Sequence, residues 1–178
     1  MKELIKDIGI AVIVVVITLQ FFQTTEVVGS SMEPNFHEKD YLLLDKTAYQ
    51  RHDPEIGDVV VFKSKLTGSN GKKELLIKRV CALPGDHVKI TGGKVYINDQ
   101  EQDESFTKDG MTTGEIDVTV PDGCVFCMGD NRADSVDSRF ESVGFVKIDK
   151  IKGKVVFRFL PFESFGRVSS IGDAMKAK

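Results

Sequence analysis

Two adjacent serines, one lysine and one loop dense in charged side chains carry the chemistry this sequence offers. The serines stand in Gly29-Ser30-Ser31-Met32-Glu33-Pro34. A serine hydroxyl is inert at neutral pH unless a base takes its proton. The histidines, His37, His52 and His87, sit in polar turns or at strand edges and read as solvated surface residues. Lys78 is the stronger candidate for the base. It follows Leu75-Leu76-Ile77 and precedes Arg79-Val80, so in a strand it shares a face with Leu76 and Val80. A lysine on an apolar face loses hydration, and desolvation depresses its pKa. The bland alternative is an edge-strand lysine whose stem covers apolar surface while its ammonium reaches water. Residue type alone does not choose between Ser30 and Ser31.

The loop runs from Gly129 to Arg139 and reads Gly-Asp-Asn-Arg-Ala-Asp-Ser-Val-Asp-Ser-Arg. Alternating Asp, Ser and Arg can build a hydrogen-bonded scaffold that orients a catalytic group. A calcium loop is the metal alternative, with Asp130, Asp134 and Glu141 at the first, fifth and twelfth positions. Arg132 then stands where an oxygen ligand belongs, and Ser135 replaces the required glycine. Cys124 and Cys127 have the spacing of a zinc half-site, but only Cys81 remains to complete it. All three cysteines read as small buried apolar residues. Neither metal nor cofactor is expected.

Short β-rich stretches must position these groups. They lie at 41–44, 58–62, 75–77, 87–90, 95–97, 118–120, 124–128 and 154–159. Turn signals separate them at 54–57, 68–71, 84–86, 92–93, 98–99 and 121–123. Gly92-Gly93 fits a two-residue hairpin turn. Eight strands without a long amphipathic helix predict an all-β domain. Residues 64–74 read as an exposed polar loop, and 99–117 as an acidic, turn-rich peripheral excursion.

The N-terminus is different. From Ile8 to Phe22 there is no charge, and the only polar side chains are Thr18 and Gln20. With Leu4 and Ile5 this makes about 19 residues, or roughly 28 Å of helix, close to the bilayer's hydrocarbon core of roughly 30 Å. A buried core helix, disfavoured because residues 10–17 are apolar on every face, and a cleaved signal peptide, for which Val27 and Gly29 offer only a weak cleavage site, are the competing readings; a retained membrane span is preferred. Lys2 and Lys6 precede the span, and no Lys or Arg follows until Lys39, which predicts a cytoplasmic N-terminus and an extracytoplasmic domain. The chain thus divides into an anchor, 1–23, and a domain, 24–178. A composition 41% hydrophobic and 29% charged excludes disorder, and a net charge of -3 argues against a nucleic-acid partner.

Taken together, these segments resemble the bacterial type I signal peptidases, in the compact form of Gram-positive bacteria. Ser31-Met32-Glu33-Pro34 is similar to the family's nucleophile box, Gly57 through Phe62 to the next, and Ile77-Lys78-Arg79-Val80 with Leu83-Pro84-Gly85-Asp86 to the lysine box. Gly129 to Arg139 resembles the last box, and Gly153 through Phe162 the closing strand. Each box is a weak signal; five in order behind an apolar span are specific. The resemblance implies a coiled antiparallel β-sheet core with a small inserted β subdomain, about 91–122. It implies a Ser–Lys endopeptidase that removes signal peptides with small residues at the first and third positions before the cut. Ser31 is then the nucleophile and Lys78 the general base. Ser135 is implied to hydrogen-bond the Lys78 amine, and Asp130, Arg79, Asp137 and Arg139 to form an ion-paired scaffold. Gly29 stands where some relatives carry a serine that donates to the oxyanion, and Asn35, Ile56, Ala133 and Asp134 also depart from the pattern. A monomer is expected. The rivals are a self-cleaving SOS-repressor protease, whose DNA-binding helical domain is replaced here by the apolar segment, and a catalytically silent anchored β module.

Overall fold

The computed structural model describes residues 1–68, 71–168 and 170. Helix α1 (Lys2–Phe21) runs directly into strand β1 (Phe22–Glu26). The described apolar side chains of α1, from Ile8 to Leu19, are exposed, so the helix has no protein core to join. It is long and apolar enough to cross a bilayer.

Strand β2 (Tyr41–Asp45), the short helix α2 (Ala48–Arg51) and the long strands β3 (Val59–Thr67) and β4 (Lys73–Ala82) follow. A small sheet comes next, built from β5 (His87–Thr91), β6 (Lys94–Ile97), β7 (Gln100–Glu101) and β8 (Ile116–Thr119) in the order β7-β6-β5-β8. The chain then returns to the large sheet through β9 (Cys124–Met128), β10 (Val146–Lys147), β11 (Ile151–Leu160) and β12 (Gly166–Arg167). The large sheet is ordered β1-β2-β11-β3-β4-β9-β10, with β12 beside β11, and every pairing is antiparallel. The mostly-β fold read from the sequence is the observed one.

Alternation builds the core on both faces of the large sheet. On β9, Cys124, Phe126 and Met128 join one cluster with Val88, Ile90 and Val95 of the small sheet, while Val125 and Cys127 face Val60, Phe62 and Val80. The Cys124 and Cys127 side chains therefore point to opposite faces, and all three cysteines are free and buried. A third cluster unites Val27, Met32 and Phe36 with Leu42, Leu44, Val59 and Val155. Gly92 and Gly93 both take positive φ, 57° and 82°, and close the β5–β6 hairpin, where Thr91 pairs with Lys94. A two-residue turn of that hand needs left-handed backbone at both positions, which glycine supplies.

Three expectations are corrected. Residues 64–74 are not a loop: β3 and β4 continue through most of them as a protruding hairpin, with Thr67 opposite Lys73. Polar residues suggest a loop, but an exposed hairpin carries them equally well. The Ser69-Asn70 part of the expected turn lies outside the described residues. The segment 99–117 is not peripheral, because Glu104, Thr107 and Thr112 are buried. Finally, β1 pairs with β2 along its whole length although its Thr and Gln carry little apolar signal.

Candidate active site

Ser31 sits in the turn that follows β1. Val27 N–H donates to the Asp40 carbonyl and Lys39 N–H to the Val27 carbonyl, which closes the loop back on itself. Met32, 1% exposed, plugs the core cluster beneath. The neighbouring Ser30 and Ser31 are thereby turned in different directions. The Ser30 hydroxyl donates to the Asp134 carboxylate. Ser31 Oγ lies 2.6 Å from Lys78 Nζ. The geometry thus separates two residues that their type could not.

Lys78 occupies the middle of β4, opposite Val60 of β3, with β9 on the other side of its strand. It is 2% exposed, so the snorkelling alternative fails. Burial lowers its pKa to about 8; the Asp137 and Asp130 carboxylates work in the other direction.

The loop after β9 wraps the serine turn. Asn131 N–H donates to the Ser31 carbonyl at 3.0 Å, and Asn131 Nδ2 to the Ser30 carbonyl at 3.2 Å. Gly129 abuts the same carbonyl. A Cβ there would collide with Ser31 O and Ser135 Oγ, so only glycine allows the approach.

Two buried ion pairs hold this loop. Arg79 donates to Asp130 in bidentate fashion at 2.8 and 2.6 Å, and Arg139 to Asp137 at 2.8 and 2.9 Å. All four scaffold residues expected from the sequence are brought together, in these two pairs. Ser135 is placed differently from the expectation. Its hydroxyl donates to Asp137 Oδ2 at 2.6 Å rather than meeting the Lys78 amine. A carboxylate is the stronger acceptor, and Asp137 also takes the Gly129 N–H at 3.0 Å.

Several partners escaped the sequence reading. Arg132 is 1% exposed and donates to the Gly129 carbonyl, Thr112 and Glu104. Phe106 lies under both Arg79 and Arg132, 5.5 and 5.7 Å from ring centre to guanidinium. Asn35 Nδ2 bridges Asp130 and the Phe106 carbonyl. Asp130 and Asp134, the suggested calcium ligands, engage Arg79 and Ser30 instead. His37 and His52 are exposed, and His87 contacts Asp117 far along the small sheet.

A cleft of about 250 Å³ opens onto Ser31 and Lys78, walled by Val27, Val28, Met32, Val61, Leu76 and Ile77. It is mostly apolar and flanked by the segment before Ser31 and by the start of β4. A hydroxyl, a desolvated amine and an adjoining apolar cleft are together suited to acyl transfer on an extended chain.

The family described as "Signal peptidase, peptidase S26" matches residues 1–160. "Signal peptidase I" of Bacillus caldolyticus is 38% identical over 167 residues, covering 85% of this chain and 87% of that protein. "Signal peptidase I U" of Bacillus subtilis (strain 168) is 35% identical over 164 residues, 87% and 84% of the two chains. "Probable signal peptidase I-1" of a Synechocystis species is 36% identical over 163 residues, 89% and 82%. A solved signal peptidase I of Enterococcus faecalis V583 is 28% identical, with a TM-score of 0.48 over 58% of this chain and 97% of its own.

Proposed function

The chain belongs to the signal peptidase family, peptidase S26, and on that premise we propose how its own residues perform the family's work. The enzyme is a serine endopeptidase, a signal peptidase I that removes signal peptides from preproteins. Ser31 is the nucleophile and Lys78 its general base. The observation that carries this is the 2.6 Å contact between Ser31 Oγ and an amine 2% exposed.

Neutral Lys78 takes the Ser31 proton as Oγ attacks the scissile carbonyl. The Ser31 backbone N–H donates to the developing oxyanion. The ammonium then returns its proton to the leaving amine, which departs as the new N-terminus of the mature protein. Water, deprotonated by Lys78, attacks the acyl-enzyme and releases the signal peptide from Ser31. Ser135 and Asp137 support the site by fixing Gly129 against Ser31, and the Arg79–Asp130 and Arg139–Asp137 pairs hold the loop that carries them.

The preprotein binds extended in the apolar cleft, where Val27, Val28 and Ile77 leave room for small side chains at the first and third positions before the cut. Residues 1–21 anchor the enzyme, with the N-terminus cytoplasmic by the bias of Lys2 and Lys6. The extracytoplasmic catalytic domain begins at Phe22 rather than at the expected residue 24, because Phe22 and Gln23 already pair with β2.

Ser31→Ala and Lys78→Ala each abolish cleavage of a preprotein with alanines at the first and third positions, while Ser30→Ala retains it. Turnover by Ser31→Ala, or its loss in Ser30→Ala alone, reverses the assignment of the nucleophile.

A further inference from the structure

The register of the large sheet runs in one row from Phe22 to Asp45, Lys154, Val60 and Lys78. This row lies at the level where α1 passes into β1. Twist of roughly 20–25° per strand rotates β3 and β4 about the row without moving the row itself. On the α1 side of it lie the end of β3, the start of β4 and the start of β11. That end is basic. Lys63, Lys65, Lys72 and Lys73 line the β3–β4 hairpin, and Lys150 and Lys152 stand beside it. The acids there are Glu74, Asp149 and Glu141, whose loop lies beside the Lys65 amine at Gly144, and Asp149 pairs with Lys150, so the six lysines still outnumber them. In a chain of net charge -3 this is a local excess of positive charge.

Lys63 and Lys65 are exposed and face the same way as Thr67, and neither amine meets a carboxylate among the described residues. Lys73 Nζ donates to neutral oxygens, the Lys65 carbonyl and Thr67 Oγ1. Its positive charge is left uncompensated by the contacts it makes.

We propose that this hairpin docks on the anionic phospholipid headgroups of the bilayer that α1 spans. The inference rests on reading α1 as a membrane span. It adds an electrostatic attachment beside the apolar one. Each lysine near an anionic surface is attracted to it within a Debye length. From Lys73 to Lys78 the strand covers only about 17 Å, so the docked hairpin holds the cleft at headgroup level. A signal peptide emerging from the same bilayer is met there. The plainer alternative is that the lysines only blunt an exposed strand edge, in which case lipid charge is irrelevant.

The test uses the full chain carrying Thr67→Cys, reconstituted in vesicles of phosphatidylcholine alone or with phosphatidylglycerol. The native cysteines are buried, so a water-soluble maleimide reports on position 67. Labelling is expected to slow about fivefold or more when phosphatidylglycerol is present. High salt, or Lys63→Gln, Lys65→Gln, Lys72→Gln and Lys73→Gln together, removes the difference. Cleavage of a soluble peptide in detergent stays unchanged in the fourfold variant, which shows that it folds. Equal labelling in both lipids, or protection that survives the four substitutions, overturns the proposal. Protection that appears only when preprotein is added assigns the lysines to the preprotein and equally overturns it. Flotation with the vesicles separates the premise: a chain that fails to float refutes the membrane span itself.

Discussion

Burial lowers the Lys78 amine to about 8 and so decides when the enzyme can work. The charged form is the one penalised, and the difference from its usual value near 10.5 corresponds to about 3 kcal/mol. The amine is therefore mostly protonated below pH 8 and mostly neutral above it. The expected kcat/KM rises with pH, roughly tenfold per unit on the acid limb, and levels off above about 8. A profile flat from pH 5 to 9 contradicts a lysine base. Lys78→Arg keeps the positive charge but cannot lose its proton, so a drop of roughly 10²–10⁴-fold is expected, with no recovery at high pH. Gly129→Ala is expected to be nearly as damaging, because the new Cβ forces the Ser31 carbonyl or Ser135 aside. Its signature is a lower kcat on a folded chain, read by steady-state kinetics beside circular dichroism. Lys78 was legible in the sequence because it alternates with Leu76 and Val80. The choice of Ser31 over Ser30 came from the resemblance alone, since residue type does not show which way a turn faces. The Asp137 acceptor of the Ser135 hydroxyl was not read from the sequence, because order along the chain does not show which acceptor the hydroxyl meets.

At the scale of elements, the site hangs between β4 and the loop after β9. Arg79 and Asp130 tie the two together with both members almost fully buried. Removing one partner leaves a charge buried without its mate. Asp130→Ala is thus expected to cost about 3–5 kcal/mol in denaturant unfolding, and a change below 1 kcal/mol contradicts the tie. The segment between β7 and β8 contributes as much. Glu104 holds Arg132, Phe106 lies beneath two guanidinium groups, and Lys108 reaches the Glu33 carboxylate beside the serine turn. Glu104→Ala is expected to lower stability by a similar amount and to reduce kcat through Gly129. Unchanged unfolding in this variant contradicts a buried role for the segment. Its sequence gave no such sign, because acidic and turn residues without apolar periodicity look the same whether they face water or a buried arginine. Strand β1 was missed for the opposite reason: its exposed Thr and Gln carry no pattern, and β2 alone fixes it in place. The apolar parts of β3, β4, β5, β6 and β9 were readable in advance, because short runs rich in apolar and β-branched residues between turn signals read as strands.

At the scale of the molecule, an apolar helix whose described side chains enter no core is fused to a β domain whose Lys78 lies in register with the helix end. Deleting residues 1–21 leaves β1 and its pairing with β2 intact, so the domain is expected to keep its β circular dichroism and lose flotation with vesicles of phosphatidylcholine alone. Loss of the β signal contradicts an independent domain. The same arrangement explains why one amine governs the whole account: anchor, cleft and scaffold matter to the chemistry only if Lys78 can be neutral beside Ser31. The direct measurement is an NMR titration of the Lys78 side chain, isotopically labelled, in the full chain in bilayers. A midpoint near 8 is the expected result, and a midpoint near 10.5, the value of an amine in water, contradicts the Ser31–Lys78 mechanism.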